Sequence, residues 1–156
     1  MESIAGKSLP GLGQIGVVVK DVEKTMTYYT ETFGLGPFQI IDFNPEKHWV
    51  RGKPHPLRLK IAMAEMGPVH LELIEPVSQD SPHQQFLEEK GEGLQHLGFY
   101  VDDYDGWLTH LKAKGIEVLM NAETTVAGMG RIRAAYLESD QPGGVLFELV
   151  EITPPA

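Results

Sequence analysis

The 156-residue chain contains no cysteine. Disulfide frameworks and thiolate metal sites are thereby excluded, and any metal must sit on His, Glu, Asp or Gln. Basic residues are scarce: 13 Lys and Arg stand against 22 Asp and Glu, a formal charge of −9. A nucleic-acid surface needs the opposite balance, so nucleic acid is not an expected partner. A small anionic ligand stays open, because local Lys and Arg can still cluster. No apolar run reaches the roughly 18 residues of a membrane span, so no membrane association is expected. The opening Met1-Glu-Ser-Ile-Ala-Gly-Lys7 does not read as a signal peptide, and a cytoplasmic location is the expectation. Low-complexity segments are missing as well. Hydrophobic residues make up 42%, enough for one buried core or for two small halves sharing one.

What the chain does contain is a repeat. Gln14-Ile-Gly-Val-Val-Val-Lys-Asp21 returns as His96-Leu-Gly-Phe-Tyr-Val-Asp-Asp103, 82 residues later. His70-Leu-Glu-Leu-Ile-Glu75 returns as Leu146-Phe-Glu-Leu-Val-Glu151, 76 residues later. Internal repetition decides architecture ahead of other signals. It equates Gln14 with His96 and Glu72 with Glu148.

Each half reads as βαβββ. Residues 14–19 form a Val-rich strand, and Asp21 caps a helix to about Phe33 with Val22, Met26, Tyr29 and Phe33 on one face. Gly34 and Gly36-Pro37 end it. Strands are expected at 38–43, 57–63 and 69–75, and residues 44–56, with three prolines, read as an exposed loop. After a linker with a short helix around Phe86 and Leu87, the second half starts with a strand at 95–101. A helix capped by Asp103 follows and ends at Gly115, and then strands at 116–120, 131–137 and 145–151. The expected organisation is a single domain over 1–156, with module 1 at about 12–76, a linker at 77–93 and module 2 at about 94–152.

Glu72 stands between Leu71 and Leu73, and Glu148 between Phe147 and Leu149. A carboxylate buried among such neighbours is costly unless something pairs with it. A divalent cation would do so, and Gln14 and His96 at the strand starts would complete its shell. Any one of these residues alone reads as an ordinary polar side chain; four at duplicated positions read as a metal site. The set suits a borderline-to-hard ion such as Zn, Co, Ni, Mn or Mg. His70 shares the face of Glu72. Glu75 and Glu151 fall on the opposite face and read as solvated. His48, His55, His83 and His110 read as surface residues.

With these motifs in place, the chain from Gln14 to Glu151 resembles the vicinal oxygen chelate superfamily, which includes glyoxalase I, methylmalonyl-CoA epimerase, extradiol dioxygenases and antibiotic-resistance binders. The resemblance implies an α+β, glyoxalase-like fold: two tandem βαβββ modules forming a curled mixed sheet around a metal site. It places the metal ligands on Gln14, Glu72, His96 and Glu148. Within the superfamily, Glu75-Pro-Val-Ser-Gln-Asp-Ser-Pro82, Gly93-Leu-Gln-His-Leu97 and Gly143-Gly-Val-Leu-Phe-Glu148 look like methylmalonyl-CoA epimerase. Gln14 and Glu72 depart from the usual epimerase ligands, His and Gln. Lys60 lies where some epimerases carry a glutamate base.

The resemblance implies a metal-dependent isomerase or epimerase that abstracts a proton next to a carbonyl, the metal stabilising the enolate. Glu148 and Glu72 are the expected acid and base, and Lys60 an acid or an anchor for an anionic carboxylate or thioester. Arg131 and Arg133 are candidates for phosphate contacts. The expected partners are a small carbonyl, thioester or keto substrate and a second copy of the chain, because each half-sheet exposes an edge. Glutathione is disfavoured, since Val18 and Pro76 replace the Arg and Asn that hold it in related glyoxalases. Extradiol dioxygenase chemistry needs two His ligands, and only His96 is present. The alternatives are a lyase on another small oxygenated substrate and a non-catalytic resistance-type binder.

Overall fold

A computed structural model describes residues 7–156, so most of the opening heptapeptide lies outside the described residues. In chain order the elements are β1 (Gln14–Val18), α1 (Val22–Phe33), β2 (Phe38–Phe43), β3 (Lys47–Val50), β4 (Lys53–Pro54), β5 (Leu59–Met66) and β6 (Val69–Pro76). There follow α2 (Pro82–Lys90), β7 (Gly93–Tyr100), α3 (Tyr104–Ala113), β8 (Val118–Val126), β9 (Gly130–Leu137) and β10 (Leu146–Thr153). No described helix is long and apolar enough to cross a membrane.

The strands form one mixed sheet in the order β2-β5-β6-β1-β7-β10-β9-β8-β3-β4, curled into a half-barrel. In each half the first and last strands lie side by side and parallel, β1 with β6 and β7 with β10. The halves join at the centre through the antiparallel pair β1–β7. The repeat in the sequence is thus an approximate twofold in the fold, with its axis between β1 and β7.

Helices start where the sequence places acidic caps. Asp21 accepts from Lys24 N at 3.0 Å, and Asp103 from Gly106 N at 3.1 Å, each satisfying a first-turn N–H that the helix leaves open. Gly34 ends α1 in the left-handed region, at φ 69°, where a Cβ is disfavoured. The convex face of the sheet carries two apolar clusters under these helices. Val22 of α1 packs with Val19, Ala62 and Leu73, and Tyr104 and Trp107 of α3 pack with Phe99, Val101, Ala135, Leu137 and Leu149. A third cluster, Leu57, Leu59, Ile61 and Ile74, lies on the opposite, concave face.

Three expectations are corrected here. Residues 44–56 are not a free loop: they make the hairpin β3–β4, and β3 pairs with β8 on the far edge of the other half. A short segment at 44–46 therefore links the two ends of the sheet, which holds the curl. His48 on β3 is consequently buried rather than exposed, its Nδ1 2.7 Å from the His55 carbonyl oxygen. Glu75 and Glu151 are half-buried and bonded rather than free in solvent. Glu75 Oε1 accepts from Val22 N at 2.8 Å and Glu151 Oε2 from Tyr104 N at 3.2 Å, so each half caps its helix a second time.

Candidate active site

The four repeated polar residues meet on the concave face, and all four are buried. The register explains how. Gln14 lies opposite Gly98 and His96 opposite Gly16 across the antiparallel pair. Gly16 is also beside Glu72, and Gly98 beside Glu148, across the parallel pairs. Each first-strand donor thus lies over the other half's glycine. A Cβ on Gly16 would run into the His96 ring. One on Gly98 would come within 2.7 Å of Gln14 Cβ, 3.0 Å of Gln14 Oε1 and 3.3 Å of Glu148 Oε1. The two glycines are the floor of the site. They stand two residues after each first-strand donor in the repeat, a signal that reading for ligand types passes over.

His96 Nε2 stands 3.2 Å from Glu148 Oε1 and 3.5 Å from Glu72 Oε1. Neither contact is aligned as a hydrogen bond, and Gln14 Oε1, His96 Nε2 and Glu148 Oε1 are buried without a partner. Orphaned buried polar atoms are rare and call for an explanation. Two donors on one cation, each about 2.1 Å from it, stand roughly 3.0–3.4 Å apart, which matches the His–carboxylate spacing. Among the described residues no group of three or more His, Asp or Glu side chains is set as a cation cage. The orphaned atoms weigh more, because they need a common partner and the amide oxygen of Gln14 is one of them. The donor set fits a divalent cation of the borderline-to-hard class.

Electrostatics follow from burial. Burial raises the Glu72 carboxyl to about 7; His96 pulls it down and the Glu148 carboxylate adds to the rise. For His96, burial lowers the pKa, but the charges of Glu148 and Glu72 outweigh it and the net direction is up.

Several neighbours complete the site. Gln95 Oε1 lies 3.0 Å from His96 Nδ1. Adjacent strand residues normally point to opposite faces. Here the register slips between Gly16 and Val17, so that Gly16 faces His96 and Val17 faces Leu94, and Gln95 is the extra residue of a bulge. Accepting from Nδ1–H, Gln95 holds that proton on Nδ1, so that Nε2, the nitrogen that faces the carboxylates, is the one that a cation would use. On the other side, Gln14 Nε2 donates to Tyr100 Oη at 3.3 Å, and Tyr100 lies 3.2 Å from His70 Nδ1. His70 thus neighbours the site through Tyr100.

Other candidates are placed elsewhere. Lys60 lies on the helix side of β5, opposite Glu75, with Nζ 2.6 Å from Glu23 Oε1. It is not brought to the cluster. Arg131, half exposed, pairs with Glu123 at 2.8 Å, and Arg133, largely buried, pairs with Glu151 at 2.7 Å and Asp105 at 3.0 Å. His83 corrects its assignment to the surface: α2 turns it inward, where it is buried with Nε2 3.4 Å from Tyr136 Oη. His55 stays at the surface edge near Asp80 at 3.4 Å, and His110 lies on α3 against Trp107.

Comparison with known proteins agrees with this architecture. The family model described as Glyoxalase/Bleomycin resistance protein/Dioxygenase superfamily matches residues 13–136. The Bacillus subtilis protein YqjC, uncharacterised, is 29% identical over 140 residues, covering 90% of this chain and 91% of that one. Mouse mitochondrial methylmalonyl-CoA epimerase is 29% identical over 139 residues, covering 88% of this chain and 71% of the enzyme. A Streptomyces coelicolor methylmalonyl-CoA epimerase variant in complex with 2-nitronate-propionyl-CoA superposes with a TM-score of 0.69 at 29% identity, covering 92% of this chain and 98% of that one. Sequence repeat, sheet topology and these matches agree, and the chain belongs to the Glyoxalase/Bleomycin resistance protein/Dioxygenase superfamily.

Proposed function

We propose that the protein is a metal-dependent epimerase or isomerase that moves a proton on the carbon next to a carbonyl, with an acyl-CoA of the methylmalonyl type as substrate. The observation that carries this reading is the pair of buried carboxylates, Glu72 and Glu148, brought by the two halves to the same nitrogen, Nε2, of His96. Similarity to methylmalonyl-CoA epimerases supports the substrate class. Gln14, Glu72, His96 and Glu148 would hold the cation. When bound, it supplies Lewis acidity toward a carbonyl oxygen.

The chain's own residues account for the rest. An epimerisation needs a proton taken from one face of a carbon and returned on the other. Glu72 and Glu148 come from opposite halves, so a substrate lying between them presents one face to each. Burial raises the Glu72 carboxyl, so in the metal-free protein it holds a proton more readily than an exposed carboxyl does. Gln95 keeps the His96 ring in one orientation. The concave apolar cluster around Ile61 and Ile74 lies on the same face of the sheet as Glu72 and offers an apolar surface beside it. The same reading takes a second copy of the chain as partner through the edge strand β2, where Ile40 is exposed; a monomer mass in solution would contradict that part alone.

The test is solvent exchange. Methylmalonyl-CoA in D2O, followed by NMR, is expected to take up deuterium at the α-carbon with the metal-loaded protein. Glu148→Ala or Glu72→Gln should slow exchange by about 100-fold or more. Exchange no faster than in a metal-stripped control would remove this assignment.

A further inference from the structure

The two sides of the site differ, and the difference predicts how a substrate lies in it. Cross-strand partners share a face of a sheet. Glu72 is partnered by Met63, whereas Glu148, at the equivalent place in the repeat, is partnered by Tyr136. Met63 packs onto the apolar cluster of Leu59, Ile61 and Ile74. Tyr136 lays its ring 4.7 Å from that of His96 and brings its hydroxyl to 3.4 Å from His83 Nε2. One wall is apolar; the other carries a phenol and an imidazole.

The proton inventory of that second wall is informative. His83 is buried, and its Nδ1 has no hydrogen-bond partner. Burial lowers its pKa to about 3, so the ring is neutral and has a single N–H. With that proton on Nδ1, the Tyr136 hydroxyl donates to Nε2 and a buried N–H faces nothing. With it on Nε2, His83 donates to the Tyr136 oxygen, and the Tyr136 proton has no second partner among the described residues. Either way this wall, which carries the strand partner of Glu148, holds one buried donor without an acceptor. An oxygen of a bound substrate would supply that acceptor to the Tyr136 proton and so select the second tautomer.

We propose that the Tyr136 hydroxyl, aimed by His83, binds an oxygen of the substrate beside Glu148, while the Met63 wall takes the substrate's apolar substituent. The substrate class that this fits has a carboxylate or keto oxygen on one side of the reacting carbon and a small alkyl group on the other. The inference rests on the reading of the site as one for a carbonyl substrate. Tyr136 contacts substrate in this scheme; His83 is a positioning residue.

Calorimetric titration tests it, with zinc-supplemented protein and two probe pairs: malonyl-CoA against propionyl-CoA, and free malonate against free propionate. Within each pair a carboxylate replaces a methyl group. Tyr136→Phe is expected to weaken the carboxylate probe about tenfold and to leave the methyl probe unchanged. His83→Leu should reproduce that loss, and His83→Gln, which keeps an N–H donor, should restore most of it. Should Tyr136→Phe lose the fold, His83→Leu decides the same comparison. Equal losses on both members of a pair, or no loss, would overturn the proposal. If the wild-type protein binds neither CoA ester, the acyl-CoA reading falls by itself, and the malonate and propionate pair decides the role of Tyr136 in the same terms.

Discussion

Gly16 and Gly98 show how tightly single residues limit this site. Both lie in β-strand backbone, so their value is the missing Cβ rather than unusual dihedrals. Gly98→Ala would press on Gln14 and Glu148 together. Overpacking of this kind costs roughly 1–3 kcal/mol. Denaturant melts should show such a loss for Gly98→Ala, together with loss of any thermal stabilisation by added zinc or cobalt. Wild-type stability and an intact metal response would mean that the two oxygens do not depend on the space above Gly98. Gln95 acts differently, through the tautomer of His96. Gln95→Leu should leave the fold in place yet weaken metal binding by about 10–100-fold, as loss of a group that orients a metal-binding His does. A competition titration with a chromophoric chelator reads this directly, and unchanged affinity would remove Gln95 from the site.

At the scale of elements, the helix starts carry the most testable content. Asp21 and Asp103 are legible as caps because each precedes an apolar stripe of helical spacing. Glu75 and Glu151 are legible only as facing away from the site. That a helix N-terminus sits over each of them depends on how the helix docks, which periodicity does not reveal. Glu75→Ala should cost about 1–2 kcal/mol in chemical denaturation by exposing the Val22 N–H of α1. A change within about 0.3 kcal/mol would make the contact incidental. The β3–β4 hairpin marks another limit of sequence reading. Pro45, Pro54 and Pro56 make residues 44–56 look irregular, and the strand exists only because β8 offers an edge in the other half. The bulge at Gln95 is invisible for a similar reason, since a register slip is a property of two strands at once. Tyr136 is not legible as a site residue because its counterpart in the repeat is Met63, and the repeat marks only polar residues present in both halves.

For the whole molecule, the repeat made both the architecture and the four-residue cluster legible, because each half alone cannot bury its polar strand residues. What the sequence did not reveal is which further groups the curl brings inward, His48 and His83 among them. The burial of His83 has a consequence for acid stability. Its folded pKa, about 3, lies below the ordinary 6.5, so the stability it contributes is present above pH 6.5 and is lost as pH falls toward 3. Glu72 runs the other way: raised to about 7, it contributes stability that is present below pH 4.5 and lost as pH rises through 7. Comparison of variants separates the two. Between pH 6.5 and 4, thermal stability of metal-free wild-type protein should fall more steeply than that of His83→Leu. Parallel slopes would show that His83 is not held neutral by the fold.

The central claim is that both halves of the chain contribute to one cation site, and the stoichiometry of metal binding tests it most directly. Titration of the metal-free protein with zinc or cobalt, by calorimetry with elemental analysis of the product, should give one ion per chain. The binding should weaken strongly in Glu72→Gln, from the first half, and equally in Glu148→Ala, from the second, with both variants folded. An ion retained at wild-type affinity when either half's carboxylate is removed, or no bound ion in a folded wild-type protein, would contradict the account.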